Sequence, residues 1–333
     1  MSKRFKNIFF VFGLAVLVLM VSQLDFVDVW HHIRHAGYWF LAVVALWGFL
    51  YLFNTLSWYI IIRSGNPEQK VRFSWLYKVT VSGFALNYAT PGGLMGGEPY
   101  RIMALAPYIG TEKASASVIL FAMTHIFSHF WFWLFSIALF VLTQPVSIPM
   151  ALLLSATGAF CVLAIWFFLY GYRKGLAFKA MSLLRHIPFV KKWATGFIDR
   201  HRENLDQVDR QIAALHNQNP KTFFAAVLSE FTCRIFAALE VYFVLRVLMP
   251  HVSYIDCILI LAFTTLFANM LFFMPLQLGG REGGFLMSVK GLAMSTDAAI
   301  LVALLVRVRE LIWTAIGLLL IKVGKDGDIV KKE

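Results

Sequence analysis

Two glycine-rich motifs, at residues 87–101 and 274–284, each place a carboxylate and an arginine where an apolar segment resumes. The first carboxylate belongs to Glu98 and the second to Glu282. So many glycines and prolines cannot form a lipid-facing helix, because unpaired backbone groups are costly in hydrocarbon. We therefore expect both motifs to be buried in protein or to line a polar cavity.

Both carboxylates are predicted to lie in the first turn of a short helix. There the helix dipole favours a negative charge, and the N–H groups of the same turn can bind an anion such as phosphate. Arg101, one turn after Glu98, can pair with it or hold a phosphate through two hydrogen bonds, and Arg281 can do the same beside Glu282. In a structural alternative, the glycines only permit close helix crossings and the Glu–Arg pairs neutralise each other.

The candidate substrate-binding residues of the two motifs combine glycines, prolines and polar groups. They are Asn87, Pro91, Gly92, Gly93, Gly96, Gly97, Glu98, Arg101, Pro275, Gly279, Gly280, Arg281 and Glu282.

Three further candidates lie close together inside the last apolar segment, where ionisable residues are costly and usually functional. Arg307 and Glu310 are expected to share a helix face. Arg309 points elsewhere and needs another partner, for which Glu282 and a lipid phosphate are both candidates.

Two pairs of polar residues lie within apolar segments, and the members of each pair are four residues apart. Glu230 and Arg234 have the order that favours an in-helix ion pair, and they are interpreted either as a structural pair or as part of a polar substrate path. His125 and His129 have metal-ligand spacing, but two ligands do not complete a site. Polar packing between helices is the favoured interpretation of the histidines, with a metal or proton-relay role as the alternative.

The composition excludes an ordinary water-soluble domain. Of the 333 residues, 59% are hydrophobic and 14% are charged, against about 45–50% and about 25% in soluble domains. Segments long enough to cross a bilayer lie at 7–24, 38–62, 115–143, 148–170, 222–249 and 298–321. The sequence thus predicts an all-α, polytopic transmembrane bundle that forms a single domain over residues 1–333.

Shorter apolar segments surround the two motifs. They lie at 73–90 and 98–110 around the first, and at 257–275 and 282–293 around the second. They are predicted to be half-helices or re-entrant segments, because each is too short or too interrupted for a full span.

The basic residues predict the orientation of the bundle. Of the 30 Lys and Arg residues, 20 lie in the N-terminus, the 63–72 loop, segment 171–221 and the tail, whereas the alternate loops contain only Arg34. Both termini are therefore expected in the cytoplasm, and the two broken regions have opposite topology, an arrangement that marks substrate sites in transporters. Segment 171–221 is predicted to be an amphipathic helical connector along the cytoplasmic interface, with a regulatory role as the alternative.

On these motifs the sequence resembles the lysylphosphatidylglycerol synthase transmembrane-region family. The resemblance rests on Pro91-Gly-Gly-Leu-Met-Gly-Gly-Glu98-Pro-Tyr-Arg101, on Pro275-x-x-x-Gly-Gly-x-Glu282-Gly and on the hydropathy pattern between them. It implies a multi-pass, flippase-like protein of the bacterial cytoplasmic membrane, similar to relatives that move aminoacylated phosphatidylglycerol to the outer leaflet. The synthase relatives carry a soluble aminoacyltransferase domain that these 333 residues lack, so we expect no aminoacyl-transfer chemistry.

The leading functional hypothesis is a lipid flippase-like transporter for a phospholipid or a polyprenyl-phosphate-linked substrate. No Walker P-loop occurs, so ATP is not expected to be the direct energy source. We expect no cofactor, no metal site and no nucleic-acid partner; membrane lipids are the expected partners, and a homo-oligomer is compatible with the sequence.

Two other functions remain as alternatives. The first is a membrane-embedded transferase acting on a lipid-linked sugar or phosphate, with Glu98 or Glu282 as base. The only Asp-x-Asp, at Asp326 and Asp328, lies in the lysine-rich tail, which counts against it. The second is a scaffold without transport activity.

Overall fold

The computed structural model describes residues 3–22, 26–65, 71–89, 96–174, 220–270 and 296–322, together with positions 195, 202, 203, 206 and 210. In this part of the chain ten helices follow one another. They are α1 Lys3–Val21, α2 Phe26–Ala36, α3 Tyr38–Gly65, α4 Phe73–Ala89, α5 Gly97–Ile109, α6 Thr111–Thr143, α7 Ile148–Lys174, α8 Pro220–Leu245, α9 Tyr254–Met270 and α10 Thr296–Lys322. The predicted all-α class is confirmed.

Four of the described helices are long and apolar enough to cross a membrane: α3, α6, α7 over Ile148–Leu169, and α8 over Lys221–Leu245. They correspond to four of the six predicted spans. The helices α1 and α9 contain shorter apolar stretches, Asn7–Val18 and Tyr254–Asn269. The 27-residue α10 was also predicted as a span. It is not among these four helices, because Arg307, Arg309 and Glu310 lie within its length. The second glycine-rich motif, the short apolar segment 282–293 and most of segment 171–221 lie outside the described residues, whereas most of segment 257–275 is described as α9.

The helix α2 lies in a stretch that was expected to be a loop, at 25–37. Its apolar residues Val29, Ile33 and Ala36 recur at spacings of four and three and belong to an apolar cluster with residues of α3, α8 and α10. Gly37, with a positive φ of 53°, makes the turn into α3. The prediction was wrong here because an 11-residue amphipathic helix is too short for a window sized to the bilayer.

The described residues of the first glycine-rich motif, 87–89 and 96–101, lie at one end of an antiparallel pair of short helices, α4 and α5, and we call this end the tip. With 17 and 13 residues, they measure about 25 Å and about 20 Å, less than the roughly 30 Å of a hydrocarbon core. At the opposite end, where α4 begins and α5 ends, the rings of Trp75 and Tyr108 lie 5.6 Å apart; we call this the open end of the pair. At the tip, Gly97 lies so close to α4 that an added Cβ would be 2.1 Å from the Gly83 carbonyl oxygen. A short helix, α5, thus begins where a half-helix was predicted.

The other face of α4 packs closely against α10 at Gly317. The Ser82 hydroxyl donates to the Gly317 carbonyl oxygen at 2.9 Å. A Cβ added at Gly317 would lie 2.5 Å from the Ala85 Cβ and 2.9 Å from the Val81 carbonyl oxygen. The absence of a side chain at residue 317 therefore sets the distance between these helices.

Gly317→Ala is accordingly expected to lower the free energy of unfolding by about 1–3 kcal/mol, because two backbones must separate. Thermal or denaturant unfolding in detergent micelles measures this loss. The matched control is Gly158→Ala on α7, where an added Cβ would meet only the Ile137 Cδ1 at 3.8 Å. Equal stability of the two variants would contradict this packing.

Candidate functional site

Arg101 occupies the inner side of the α4–α5 tip and is 1% exposed. Its Nη1 donates to the Glu98 Oε1 at 2.9 Å, and its Nη2 donates to the Thr80 carbonyl oxygen at 3.3 Å. The guanidinium carbon lies 4.7 Å from the centre of the Phe84 ring and 5.3 Å from that of Phe121. The arginine is thus held between two aromatic faces, which attract a cation.

Asn87 fixes the carboxylate of Glu98 from the end of α4. Its Nδ2 donates to the Glu98 Oε1 at 3.0 Å, while its Oδ1 accepts the backbone N–H of Gly97 at 2.7 Å. Four predicted residues, Asn87, Gly97, Glu98 and Arg101, are therefore brought together, and we call them the tip cluster. Gly96 immediately precedes α5 as its N-terminal cap.

A second group, the His–Glu cluster, joins α3, α6 and α8 through Asn54, His125, Glu230 and Arg234. The Asn54 Nδ2 donates to both Glu230 oxygens at 3.1 and 3.0 Å, and the His125 Nδ1 lies 2.7 Å from the Glu230 Oε2. Arg234 donates to the Ser128 hydroxyl at 2.8 Å and to the His125 carbonyl oxygen at 2.6 Å. The expected in-helix ion pair between Glu230 and Arg234 is not formed as a direct contact, because each side chain turns to a neighbouring helix.

A third group, the Arg309 cluster, consists of Tyr88, Glu240, Arg309 and Glu310. Arg309 donates to the two Glu240 oxygens at 2.7 and 3.0 Å, and its guanidinium carbon lies 3.9 Å from the centre of the Trp47 ring. Glu310 accepts a hydrogen bond from the Tyr88 hydroxyl. Among the described residues the partner of Arg309 is therefore Glu240, whereas the candidate Glu282 lies outside them.

Helix α4 connects the three clusters. Asn87 belongs to the tip cluster, and the adjacent Tyr88 belongs to the Arg309 cluster. The Phe84 ring contacts Arg101 and also lies 5.7 Å from the ring of His125. The described part of the bundle thus contains a connected set of buried and partly buried ionisable groups on five helices.

Several of these residues were not among the sequence candidates. Asn54 is one of the few strongly polar residues in the apolar α3, and an intramembrane amide of this kind is a usable signal. Trp47 and Tyr88 offered no signal, because aromatic residues are common throughout the chain. Arg307 lies on α10 and is partly buried.

The remaining predicted residues fall outside the described part of the chain. They are Pro91, Gly92, Gly93, Pro275, Gly279, Gly280, Arg281 and Glu282. Among the residues that the structure does describe, no group of three or more His, Cys, Asp or Glu side chains could hold a metal ion.

Comparison with known proteins identifies the family. A family model described as the lysylphosphatidylglycerol synthase TM region matches residues 8–317, which is nearly the whole chain and includes both glycine-rich motifs. The comparisons with curated proteins and with solved structures gave no match. The chain therefore belongs to the lysylphosphatidylglycerol synthase transmembrane-region family, whose members are membrane proteins with a lipid-related function.

Proposed function

We propose that this protein is a lipid flippase-like transporter that moves a phospholipid or a polyprenyl-phosphate-linked substrate between the leaflets. Its headgroup would bind between the tip cluster and the second glycine-rich motif. The observation that carries the proposal is the buried Glu98–Arg101 pair at the tip of two helices that are each too short to span the membrane. Such a pair provides a polar binding position inside the bundle.

The depth of the tip supports this assignment. Arg101 stacks on Phe121 and Phe84 faces His125, and both partners lie well inside the 33-residue helix α6. The open end of the pair, at Trp75 and Tyr108, lies on the side where α6 begins. This geometry favours a re-entrant segment that enters and leaves from one side, as irregular backbone at membrane depth requires burial or a polar cavity.

Two atoms of the ion pair favour a ligand over a purely structural role. The Glu98 Oε2 and the Arg101 Nε are buried and have no hydrogen-bond partner among the described residues. A buried polar group without a partner is costly. In the proposed complex Arg101 would donate to the phosphate of a headgroup, while Glu98 would accept from its cationic or hydroxyl groups.

The other buried clusters would extend this polar position into a path. Charged side chains would line the interior, so that a headgroup would not have to cross hydrocarbon. They belong to Glu230, Arg234, Arg309 and Glu310. Arg281 and Glu282 would complete the site from the second motif, and Arg307 would contribute from α10. The acyl or prenyl chains would stay in the bilayer.

The proposed location is the bacterial cytoplasmic membrane, with both termini in the cytoplasm. The concentration of Lys and Arg in the N-terminus, the 63–72 loop, segment 171–221 and the tail supports this orientation. The proposed partners are the membrane lipids themselves.

The proposal predicts leaflet exchange by the purified protein. Vesicles containing it should exchange fluorescent phospholipids or polyprenyl phosphates, detected by chemical quenching of the outer-leaflet label. Glu98→Gln and Arg101→Gln should each lower the rate about tenfold or more, because a hydrogen bond to a charged group is worth about 1.5–3 kcal/mol. The matched controls Glu112→Gln and Arg63→Gln change exposed residues and should exchange at the wild-type rate.

Two results would count against this function. Unchanged exchange in folded Glu98→Gln and Arg101→Gln variants would remove the tip cluster from the transport site. Turnover of a nucleotide sugar by the pure protein, without exchange of any of the lipids tested, would favour the membrane-embedded transferase instead.

A further inference from the structure

A buried carboxylate faces a partly exposed histidine in the His–Glu cluster, close to the tip cluster but separate from it. The Glu230 side chain is 1% exposed and that of His125 is 30% exposed, and the His125 Nδ1 lies 2.7 Å from the Glu230 Oε2. Histidine changes its charge within the physiological pH range. The pair therefore has a carboxylate that is shielded from solvent and a histidine through which a proton can enter.

We propose that His125 and Glu230 form the proton-binding site that couples proton movement to lipid transport. This inference rests on the proposed flippase function and adds the coupling ion to it. A neutral His125 would donate a hydrogen bond from its Nδ1–H to the Glu230 carboxylate. The bound proton would attach to the second ring nitrogen, Nε2, and leave from there, with no covalent bond formed or broken elsewhere.

Because of the charges around Glu230, protonation of His125 would change the affinity of the site for an anionic substrate. On its own helix, Arg234 is turned toward the Ser128 hydroxyl and the His125 carbonyl oxygen. From α5, Arg101 contacts the Phe84 ring, which also lies 5.7 Å from the His125 ring, and Arg101 is itself paired with Glu98. Two carboxylates and two guanidinium groups thus balance, and a proton on His125 gives the combined site a net charge of +1.

Among the residues that the structure describes, the other helices packed here add no further close charge. From α3 the contact is the neutral amide of Asn54, and from α9 the Tyr254 hydroxyl donates to the Ile235 carbonyl oxygen at 2.5 Å. On the α10 side, Arg309 is engaged with Glu240, ten residues further along α8. The protonation state of His125 therefore decides the net charge of the site.

His129 extends the site along α6. Its ring centre lies 5.7 Å from that of His125, and its Nδ1 is buried without a hydrogen-bond partner among the described residues. A second imidazole at this distance can receive or supply the proton through a small movement or one bridging water. The Phe84 ring, which contacts both His125 and Arg101, joins the proton site to the proposed headgroup site. Protonation would favour binding of a phosphate, and loss of the proton would favour its release.

The first experiment measures protonation without any transport. Protein labelled with ¹⁵N-histidine in lipid nanodiscs is titrated by NMR, and the His125 signal is assigned by its loss in His125→Gln. We expect this signal to titrate reversibly, and to titrate over a different pH range in Glu230→Gln. His251→Gln, at an exposed histidine, is the matched control and should leave the His125 titration unchanged.

The second experiment measures exchange of an anionic phospholipid in vesicles over the same pH range. The wild-type rate should change at least about fivefold across the range in which histidine changes charge, and the dependence should fall to less than about twofold in Glu230→Gln and His125→Gln. Melting curves establish that the variants fold, and if Glu230→Gln does not fold, His125→Gln alone decides the matter.

The outcomes separate this inference from the proposed function. A His125 that does not titrate, or exchange that is equally fast at every pH, overturns the proton site while the flippase function stands. No exchange at any pH, with any lipid tested, overturns the flippase function. A His125 that titrates in a protein that moves no lipid overturns the coupling.

Discussion

Glu240→Gln is expected to lower the free energy of unfolding by about 3–5 kcal/mol, because it leaves a buried charge without its partner. Glu240 and Arg309 are each 3% exposed, and two hydrogen bonds of 2.7 and 3.0 Å join them. A glutamine offers one acceptor and turns an N–H₂ group toward the guanidinium. Glu310, whose Oε1 is 3.7 Å from the Arg309 Nη2, is too far away to replace the lost hydrogen bond.

A double-mutant cycle distinguishes the ion pair from simple loss of packing. The variant with both Glu240→Gln and Arg309→Gln removes both members of the ion pair and leaves Glu310 with its hydrogen bond from the Tyr88 hydroxyl, so it should be more stable than Glu240→Gln alone. Unfolding by denaturant in micelles gives the four free energies. The exposed Glu112→Gln should stay within about 0.5 kcal/mol of the wild type, and an equally small effect at Glu240 would show that the pair contributes nothing to the folded state.

The long helices were predictable because a bilayer imposes a length and an apolar composition on each span. The segments 38–62 and 115–143 lie within α3 and α6 for this reason. That α4 ends at Ala89 and α5 begins at Gly97 agrees with the position of the first glycine-rich motif, since glycine and proline prevent a lipid-facing helix. The helix α2 was not predictable, because its 11 residues include three histidines and an arginine, which lower the average hydropathy of any long window.

The candidate site shows a similar division between local and distant contacts. Glu98 and Arg101 are three residues apart, and a helix places such residues side by side, so their 2.9 Å contact could be predicted. The partners of Glu230 and Arg309 could not, since His125 and Glu240 lie 105 and 69 residues away along the chain. Spacing pointed to Arg234 as the partner of Glu230, but the packing of α8 against α6 offered Arg234 a hydroxyl and a carbonyl oxygen instead.

The smallest possible change at the tip, Gly97→Ala, is expected to lower leaflet exchange by about 10- to 100-fold, since displacement of a functional group by about 1 Å can have such an effect. The added Cβ would lie 2.1 Å from the Gly83 carbonyl oxygen and 2.7 Å from the Asn87 Oδ1. These are shorter than real Cβ contacts, so α5 must move away from α4. The movement stretches the 2.7 Å hydrogen bond between the Gly97 N–H and Asn87 and shifts Glu98.

Exchange and stability must be measured together for Gly97→Ala, because overpacking also costs about 1–3 kcal/mol. Gly158→Ala is the matched control, since the same methyl group there makes only an ordinary contact at 3.8 Å, and it should exchange lipids at the wild-type rate. A folded Gly97→Ala protein that exchanges lipids as fast as Gly158→Ala would mean that transport does not depend on how closely α5 approaches α4. In that event the positions of Glu98 and Arg101 could not be the feature that selects and holds the headgroup.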